Sequence, residues 1–201
     1  MAPRNRQGGF DHGLYDPNDE RDACGFGMIA QLDDQPSRAL VDTAIAALSR
    51  MTHRGGVAAD GLTGDGCGLL IRKPDVFLRA LATEANIAPG ARFASGLVFL
   101  PHDEAQAAQC RATLEAELFR TGVTVRGWRI PPTNDGVCGQ LAKDTLPRIE
   151  QVFVDAGDEQ KDETFALALF LARRRAEQQL RAHVPDFYVV TLSPHAIGYK
   201  G

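Results

Sequence analysis

The chain has 201 residues, of which 44% are hydrophobic and 24% charged, and its formal net charge at pH 7 is −4. These values are typical of a soluble globular protein with one sizeable core, and they give no indication of a nucleic-acid-binding or membrane-binding surface. The four cysteines form no CxxC pair and no cluster with histidines, so the sequence predicts neither a metal site nor a disulfide scaffold, and a reducing cytoplasmic location is expected. No stretch approaches the ~18 apolar residues of a membrane-spanning helix.

The first 23 residues are polar and contain no apolar segment of the secretory-signal type. They are interpreted either as a disordered tail or as a pro-segment, residues 1–23, that is removed before Cys24. Removal would give Cys24 a free α-amino group, whose pKa of ~7.7–8.0 lets it accept a proton at neutral pH. The thiol and its base would then belong to one residue, as in N-terminal nucleophiles. The alternative is that Cys24 is a small buried residue at the start of a strand.

The next part of the chain predicts two strands on either side of a helix. Residues 25–31 predict a short strand, and Ser37 is expected to cap a helix that ends near residues 50–52. Residues 69–71 predict a second, buried strand. Six glycines between positions 55 and 68 indicate a tightly turned loop, and Cys67 at its end is expected in the core.

This loop and the residues before it contain three candidate binding residues. Arg54 has a planar guanidinium that can bind a carboxylate through two hydrogen bonds, although an arginine is also favourable at a helix C-terminus. His53 is either a base for Cys24 or a helix-terminal histidine. Asp65 is either a ligand for an ammonium group or part of an ordinary Asp-Gly turn.

The rest of the chain predicts helices alternating with strands. After a helix at about 75–86, residues 95–130 predict a strand, a helix capped by Asp103 and a second strand, which together are interpreted as a side lobe. Residues 149–154 predict a strand, and residues 158–182 predict a long helix with one apolar face. The segments 187–192 and 196–200 are expected to form two strands of a hairpin.

Six short motifs, taken in order, resemble the start of the large subunit of glutamate synthase. They are Leu14-Tyr15-Asp16-Pro17, Glu20-Arg21-Asp22-Ala23-Cys24-Gly25, Met51-Thr52-His53-Arg54-Gly55, Thr63-Gly64-Asp65-Gly66, Pro147-Arg148-Ile149-Glu150-Gln151-Val152-Phe153 and Ala196-Ile197-Gly198-Tyr199-Lys200-Gly201. The resemblance extends from about residue 13 to the end of the sequence.

This resemblance implies a class II glutamine amidotransferase domain at 24–201, preceded by a pro-segment at 1–23. The implied fold class is α+β, a four-layer α/β/β/α sandwich of the Ntn-hydrolase type that is incomplete here. Cys24 would be the catalytic nucleophile that attacks the side-chain amide of L-glutamine. Arg54 would bind the substrate carboxylate, with His53 and Asp65 as further substrate-binding candidates.

The resemblance also implies cofactors and partners. The ammonia released from glutamine would feed the reductive synthesis of glutamate from 2-oxoglutarate. FMN and an iron–sulfur cluster are expected in the remainder of the large subunit, and no cofactor or metal is expected in this chain. The expected partners are L-glutamine, the remaining domains of the large subunit and its small NADPH-binding subunit.

One feature of the family is missing from the sequence. In the family, the oxyanion-hole donors come from an Asn-Gly pair downstream of the Tyr-Lys-Gly strand, and the 201 residues contain no Asn-Gly pair. The chain is therefore expected to be inactive alone. One alternative is a catalytically silent folding or interaction module in which Cys24 stays internal. Another is a thiol hydrolase in which His53 is the base for an unprocessed Cys24.

Overall fold

The structure, a computed structural model, describes residues 25–51, 55–64, 66–157 and 161–200. The helices are α1 (Arg38–Ser49), α2 (Asp75–Glu84), α3 (Glu104–Arg120), α4 (Gln140–Thr145) and α5 (Asp162–Leu180). The strands are β1 (Gly68–Arg72), β2 (Phe93–Leu100), β3 (Thr124–Arg129), β4 (Arg148–Asp155), β5 (Tyr188–Val189) and β6 (Ala196–Lys200). Within those ranges no helix combines the length and apolar character needed to cross a bilayer.

The larger sheet has four antiparallel strands in the order β3-β4-β2-β5. Its centre is the pair β2 and β4, which stay in register from Phe93 opposite Asp155 to Leu100 opposite Arg148. Nearly every residue of these two strands is buried. Because successive side chains of a strand point to opposite faces, burial of consecutive residues means that both faces of this sheet are covered.

Helices α3 and α5 cover one face of the larger sheet. The apolar residues of α5 recur at helical spacing, and the residues of its predicted apolar face are all buried: Phe165, Leu169, Ala172, Ala176 and Leu180. They pack with α3 residues such as Leu114 and with Val98 and Val152 of the sheet in one core cluster. The opposite face, represented by Phe93 and Phe153, packs on α2 and on Ile197 of β6.

The smaller sheet consists of β1 and β6, paired antiparallel from Gly68 opposite Lys200 to Arg72 opposite Ala196. The segment before β6 joins it to the larger sheet. The Val190 N–H donates to the Leu97 carbonyl at 2.9 Å, and the Gly198 N–H donates to the Thr191 hydroxyl oxygen at 2.7 Å. The two sheets are therefore linked through hydrogen bonds of adjacent residues.

Several local predictions are confirmed. The Ser37 hydroxyl oxygen accepts the Leu40 N–H and begins α1, and the Asp103 carboxylate accepts the Gln106 N–H and begins α3. Helix α3 ends where predicted, before Gly122 with its φ of 76°. The mixed α/β class with two antiparallel sheets agrees with the expected fold class, and the four-layer arrangement stays a prediction.

Three predictions about strands are corrected. Residues 25–31 form no strand, and most of their side chains are exposed. The segment 95–130 is not a side lobe, because β2 and β3 belong to the larger sheet and α3 packs against it. Residues 187–200 do not form a hairpin, since β5 pairs with β2 whereas β6 pairs with β1.

Two further differences concern burial and a short helix. Helix α1 forms as predicted, but none of its residues is buried among the described residues. Strand β1 alternates between exposed and half-buried residues, and Leu70 is exposed, so this strand is not the buried strand that was predicted. Helix α4 was not predicted from the sequence.

Candidate active site

The four residues that the sequence indicates as candidates, Cys24, His53, Arg54 and Asp65, lie outside the described residues. The structure does describe the glycine-rich loop of residues 55–64 and its continuation into β1 from residue 66 onward. The geometry of the candidate site is therefore built from this loop and from the elements that contact it.

Residues 57–64 form a small closed hairpin, called here the glycine-rich hairpin. Its first and last residues make an isolated antiparallel bridge, and the Ala58 N–H donates to the Thr63 carbonyl at 2.7 Å. The Gly61 N–H donates to the Ala58 carbonyl at 3.0 Å. Gly61 has a φ of 68°, in the left-handed region that glycine adopts without a Cβ clash. The tight turning predicted from the glycine content is confirmed here, and the two ends of the hairpin are fixed against each other.

The Asp60 side chain organises the turn of this hairpin. One carboxylate oxygen accepts the N–H groups of Leu62 and Thr63 at 3.1 and 2.8 Å, and the other accepts the Thr63 hydroxyl at 2.6 Å. These hydrogen bonds favour the charged form. Led by the Thr63 hydroxyl and followed by the two N–H groups, they lower the pKa of Asp60 to about 2. The carboxylate is therefore charged at neutral pH, and the turn holds a fixed negative charge.

The glycine-rich hairpin also contacts the segment that begins α4. The Thr63 hydroxyl oxygen accepts the Ala142 N–H at 3.2 Å. At Gly139, just before α4, a Cβ would lie 2.6 Å from the Thr63 nitrogen and still closer to the side-chain oxygens of Asp60 and Thr63. Only a residue without a side chain fits at this approach.

The described cysteines differ in environment. Cys110 is fully buried, and its burial raises the pKa of the thiol, which makes it a core residue and a poor nucleophile. Cys67 is exposed, so its predicted place in the core is wrong, and Cys138 is half-buried. Neither thiol takes part in a disulfide.

Away from the glycine-rich hairpin lies a cavity of about 420 Å³ with several basic side chains in its lining. The Lys73 ammonium donates to the Phe93 carbonyl at 2.8 Å and pairs with Asp75 at 3.0 Å. The Arg79 guanidinium donates to three backbone carbonyls in the turn 89–91. Lys73 and Arg79 therefore bind groups of the chain itself.

The sequence reasoning missed the contact between the glycine-rich hairpin and α4. The turn itself had a signal in the sequence. An aspartate followed three residues later by a threonine, as in Asp60 and Thr63, is typical of a turn in which the aspartate side chain bonds to the backbone. Gly139 had no local signal, because glycine is needed at this position only for the contact with Asp60 and Thr63, which are far away in sequence.

Comparison with known proteins gives the relatives of this chain. The family described as glutamine amidotransferases class-II matches residues 24–201. The chain is 40% identical to the glutamate synthase [NADPH] large chain of Azospirillum brasilense over 93% of its own length. It is 36% identical to the corresponding protein of Bacillus subtilis, and also to ferredoxin-dependent glutamate synthase 1 of Arabidopsis thaliana, over 94% of its length in each case.

Each of these alignments covers 12% of the relative, so the chain spans about an eighth of the length of these proteins. The family match, by contrast, covers most of the chain and starts at Cys24. The chain thus belongs to the class-II glutamine amidotransferases, with a domain at 24–201 that is similar to part of the glutamate synthase large chains.

Proposed function

We propose that residues 24–201 carry the glutaminase half-reaction of a glutamate synthase, in which L-glutamine is hydrolysed to glutamate and ammonia. The observation that carries this proposal is the family match that starts at Cys24 and continues to the end of the sequence. The resemblance of the motifs around Cys24 and Arg54 to glutamate synthase supports it.

In the proposed mechanism, residues 1–23 are a pro-segment whose removal gives Cys24 a free α-amino group. That amine takes the thiol proton, and the thiolate attacks the carboxamide carbon of glutamine. Collapse of the tetrahedral intermediate breaks the C–N bond, and the amine returns the proton to the leaving nitrogen, which departs as ammonia. Water then attacks the γ-glutamyl thioester, glutamate is released and the thiol is restored.

We assign substrate binding to Arg54, which would hold the α-carboxylate of glutamine through its two-pronged guanidinium. His53 and Asp65 are further candidates, and the Asp65 carboxylate has the charge that the substrate ammonium group requires. The glycine-rich hairpin lies in sequence between Arg54 and Asp65. A well-ordered hairpin at this point is what a binding loop for a small polar substrate needs.

We further propose that the ammonia is used by a synthase part of the large subunit, to convert 2-oxoglutarate to glutamate in the cytoplasm. FMN and an iron–sulfur cluster are assigned to that part and not to these residues. Among the residues that the structure describes, no three His, Cys, Asp or Glu side chains are grouped as metal ligands. The small NADPH-binding subunit is the proposed electron-supplying partner.

A second candidate is a catalytically silent module that takes part only in folding or interaction. In this candidate Cys24 stays internal, so a purified protein that still carries residues 1–23 would favour it.

The intact mass of the purified chain, with N-terminal sequencing, tests the proposed processing. A mature start at Cys24 supports the N-terminal nucleophile, whereas a start at Met1 or Ala2 contradicts it. In the full-length protein, glutamine hydrolysis by Cys24→Ser is then compared with the matched variant Cys67→Ser, which changes an exposed cysteine. Cys24→Ser is expected to lower turnover by more than ~100-fold, because a serine hydroxyl ionises far less readily than a thiol, and full turnover in this variant would exclude Cys24 as the nucleophile.

A further inference from the structure

Helix α4 begins without a capping side chain of its own. Its N-cap residue is Gly139, which has no side chain and therefore makes no capping hydrogen bond. The first N–H groups of a helix have no partner within the helix and need an acceptor from elsewhere. The Thr63 hydroxyl oxygen accepts the N–H of Ala142, in the first turn of α4, at 3.2 Å. A residue of the glycine-rich hairpin thus caps a helix that lies far away in sequence.

The Asp60 carboxylate fixes the orientation of that hydroxyl. The Thr63 Oγ1–H donates to Asp60 Oδ2 at 2.6 Å, so the hydroxyl lone pairs are left for the Ala142 N–H. The Leu141 N–H, also in the first turn of α4, adds to the hydrogen bonds that favour the charged form of Asp60. Both side chains of the hairpin turn are therefore directed at the same helix end.

Gly139 allows this approach because it lacks a Cβ. Its φ of −67° and ψ of 164° are open to any residue, so backbone conformation does not require glycine there. A Cβ at this position would lie 2.6 Å from the Thr63 backbone nitrogen, which cannot move away as a flexible side chain could. Glycine is therefore needed at position 139 so that the glycine-rich hairpin can contact α4.

We infer that Asp60, Thr63 and Gly139, called here the hairpin clamp, are positioning residues for glutamine. The clamp holds the glycine-rich hairpin against α4 and so fixes the segment of chain that lies between Arg54 and Asp65 in sequence. That the substrate is glutamine rests on the proposed function, whereas the existence of the clamp is inferred from the contacts alone. None of the three residues needs to touch glutamine, and their effect is on substrate binding through the shape of the loop.

The test compares Thr63→Val, Thr63→Ser and the control Thr145→Val in the full-length protein that contains these residues. Thr145 is a matched threonine because it is exposed and, among the residues that the structure describes, its hydroxyl donates only to carbonyls of its own helix, at Leu141 and Ala142. Thr63→Val keeps the shape of the side chain but removes the hydroxyl. Loss of one such hydrogen bond corresponds to roughly a 5-fold effect. We expect the KM for glutamine to rise by about this factor with kcat nearly unchanged, and Thr63→Ser and Thr145→Val to behave as the wild type.

Hydrogen exchange gives a second readout that does not depend on activity. The Ala142 amide is expected to lose protection in Thr63→Val and in Gly139→Ala, but not in Thr145→Val. Unchanged exchange at Ala142 in both variants would overturn the clamp, even if glutamine hydrolysis is normal. Loss of protection with an unchanged KM would show that the clamp does not position the substrate. A wild-type full-length protein that neither binds nor hydrolyses glutamine would refute the proposed function and the substrate of the clamp. The exchange at Ala142 would still report whether the contact exists.

Discussion

The Asp60 side chain is exposed, yet hydrogen bonds hold its pKa well below the ordinary value. It accepts hydrogen bonds from the Thr63 hydroxyl and from the backbone N–H groups of Thr63 and Leu62, and its pKa is lowered from 3.8 to about 2. A carboxyl group with a lowered folded-state pKa stabilises the fold above its unfolded pKa, and this contribution is lost as the pH falls through the folded pKa. The turn of the glycine-rich hairpin should therefore weaken between about pH 4 and pH 2, and it should not respond to pH near neutrality.

This titration can be followed through the carboxyl ¹³C shift of Asp60 by NMR. We expect a midpoint at about 2 in the wild type, below the ordinary value of 3.8. Thr63→Val removes the hydrogen bond that contributes most to the lowered pKa, so in this variant the midpoint should move upward. A wild-type midpoint near 3.8 would contradict the hydrogen-bonded turn.

Arg54→Lys tests the assignment of the substrate carboxylate. A lysine keeps the positive charge but presents a single ammonium group, so one of two parallel hydrogen bonds is lost. We expect the KM for glutamine to rise by ~10-fold or more, since a charged hydrogen bond contributes ~1.5–3 kcal/mol. The matched control is Arg38→Lys, an exposed arginine that pairs with Asp42 on α1 and should leave KM unchanged. An unchanged glutamine dependence in Arg54→Lys would argue against the assignment.

Among the helices and strands, the parts of the fold that could be predicted are those specified by neighbouring residues. Helices α1 and α3 begin at Ser37 and Asp103 because these caps act within one turn, and the buried face of α5 follows from its own spacing. Strand pairing depends on partners distant in sequence, so the separation of β5 and β6 into different sheets was not predictable from their local pattern.

In the candidate site, too, features specified by neighbouring residues could be predicted, and contacts between distant residues could not. The motifs around Cys24 and Arg54 are local strings of residues and could be read directly, together with the family that they resemble. The contact of Thr63 with the start of α4 could not, because α4 is six residues long and has no capping residue of its own in the sequence. Short helices of this kind form through tertiary contacts more than through their own preference for helix.

The packing of α5 on the larger sheet can be tested with two leucines of the same helix. Leu169 is fully buried, whereas Leu167 is 55% exposed. We expect Leu169→Ala to lower the free energy of unfolding by ~2–5 kcal/mol, since it removes buried apolar atoms and leaves a cavity. Leu167→Ala should change it by less than ~0.5 kcal/mol. Urea unfolding followed by circular dichroism measures both, and equal effects of the two substitutions would refute this orientation of α5.

Across the whole molecule, burial is distributed unevenly. The core clusters involve α2, α3, α5 and the larger sheet, whereas Phe26, Met28, Leu62 and Leu70 are all more than half exposed. Exposed apolar side chains of this size favour association with other apolar surfaces. Leu70 lies on β1, whose pairing among the described strands is with β6 alone, so unpaired backbone groups accompany the apolar side chain.

We therefore expect the isolated chain to associate as its concentration rises, as measured by light scattering. Leu70→Lys should reduce this association, because a charge on an exposed strand opposes pairing with another strand. Leu167→Lys, at an exposed position on the outer helix α5, is the control and should have a smaller effect. A monomeric wild type at all concentrations would contradict the expectation.

The register of the smaller sheet has a consequence for how the protein is made. Gly68 of β1 pairs with Lys200 of β6, so β1 has no partner in its sheet until residues 196–200 have been synthesised. A ribosome adds ~5–20 residues per second, and the earlier strands of the larger sheet can begin to pair during that time. The glycine-rich hairpin directly precedes β1 in the chain. The sheet that follows this hairpin would thus form only after the central strands β2 and β4 have been synthesised.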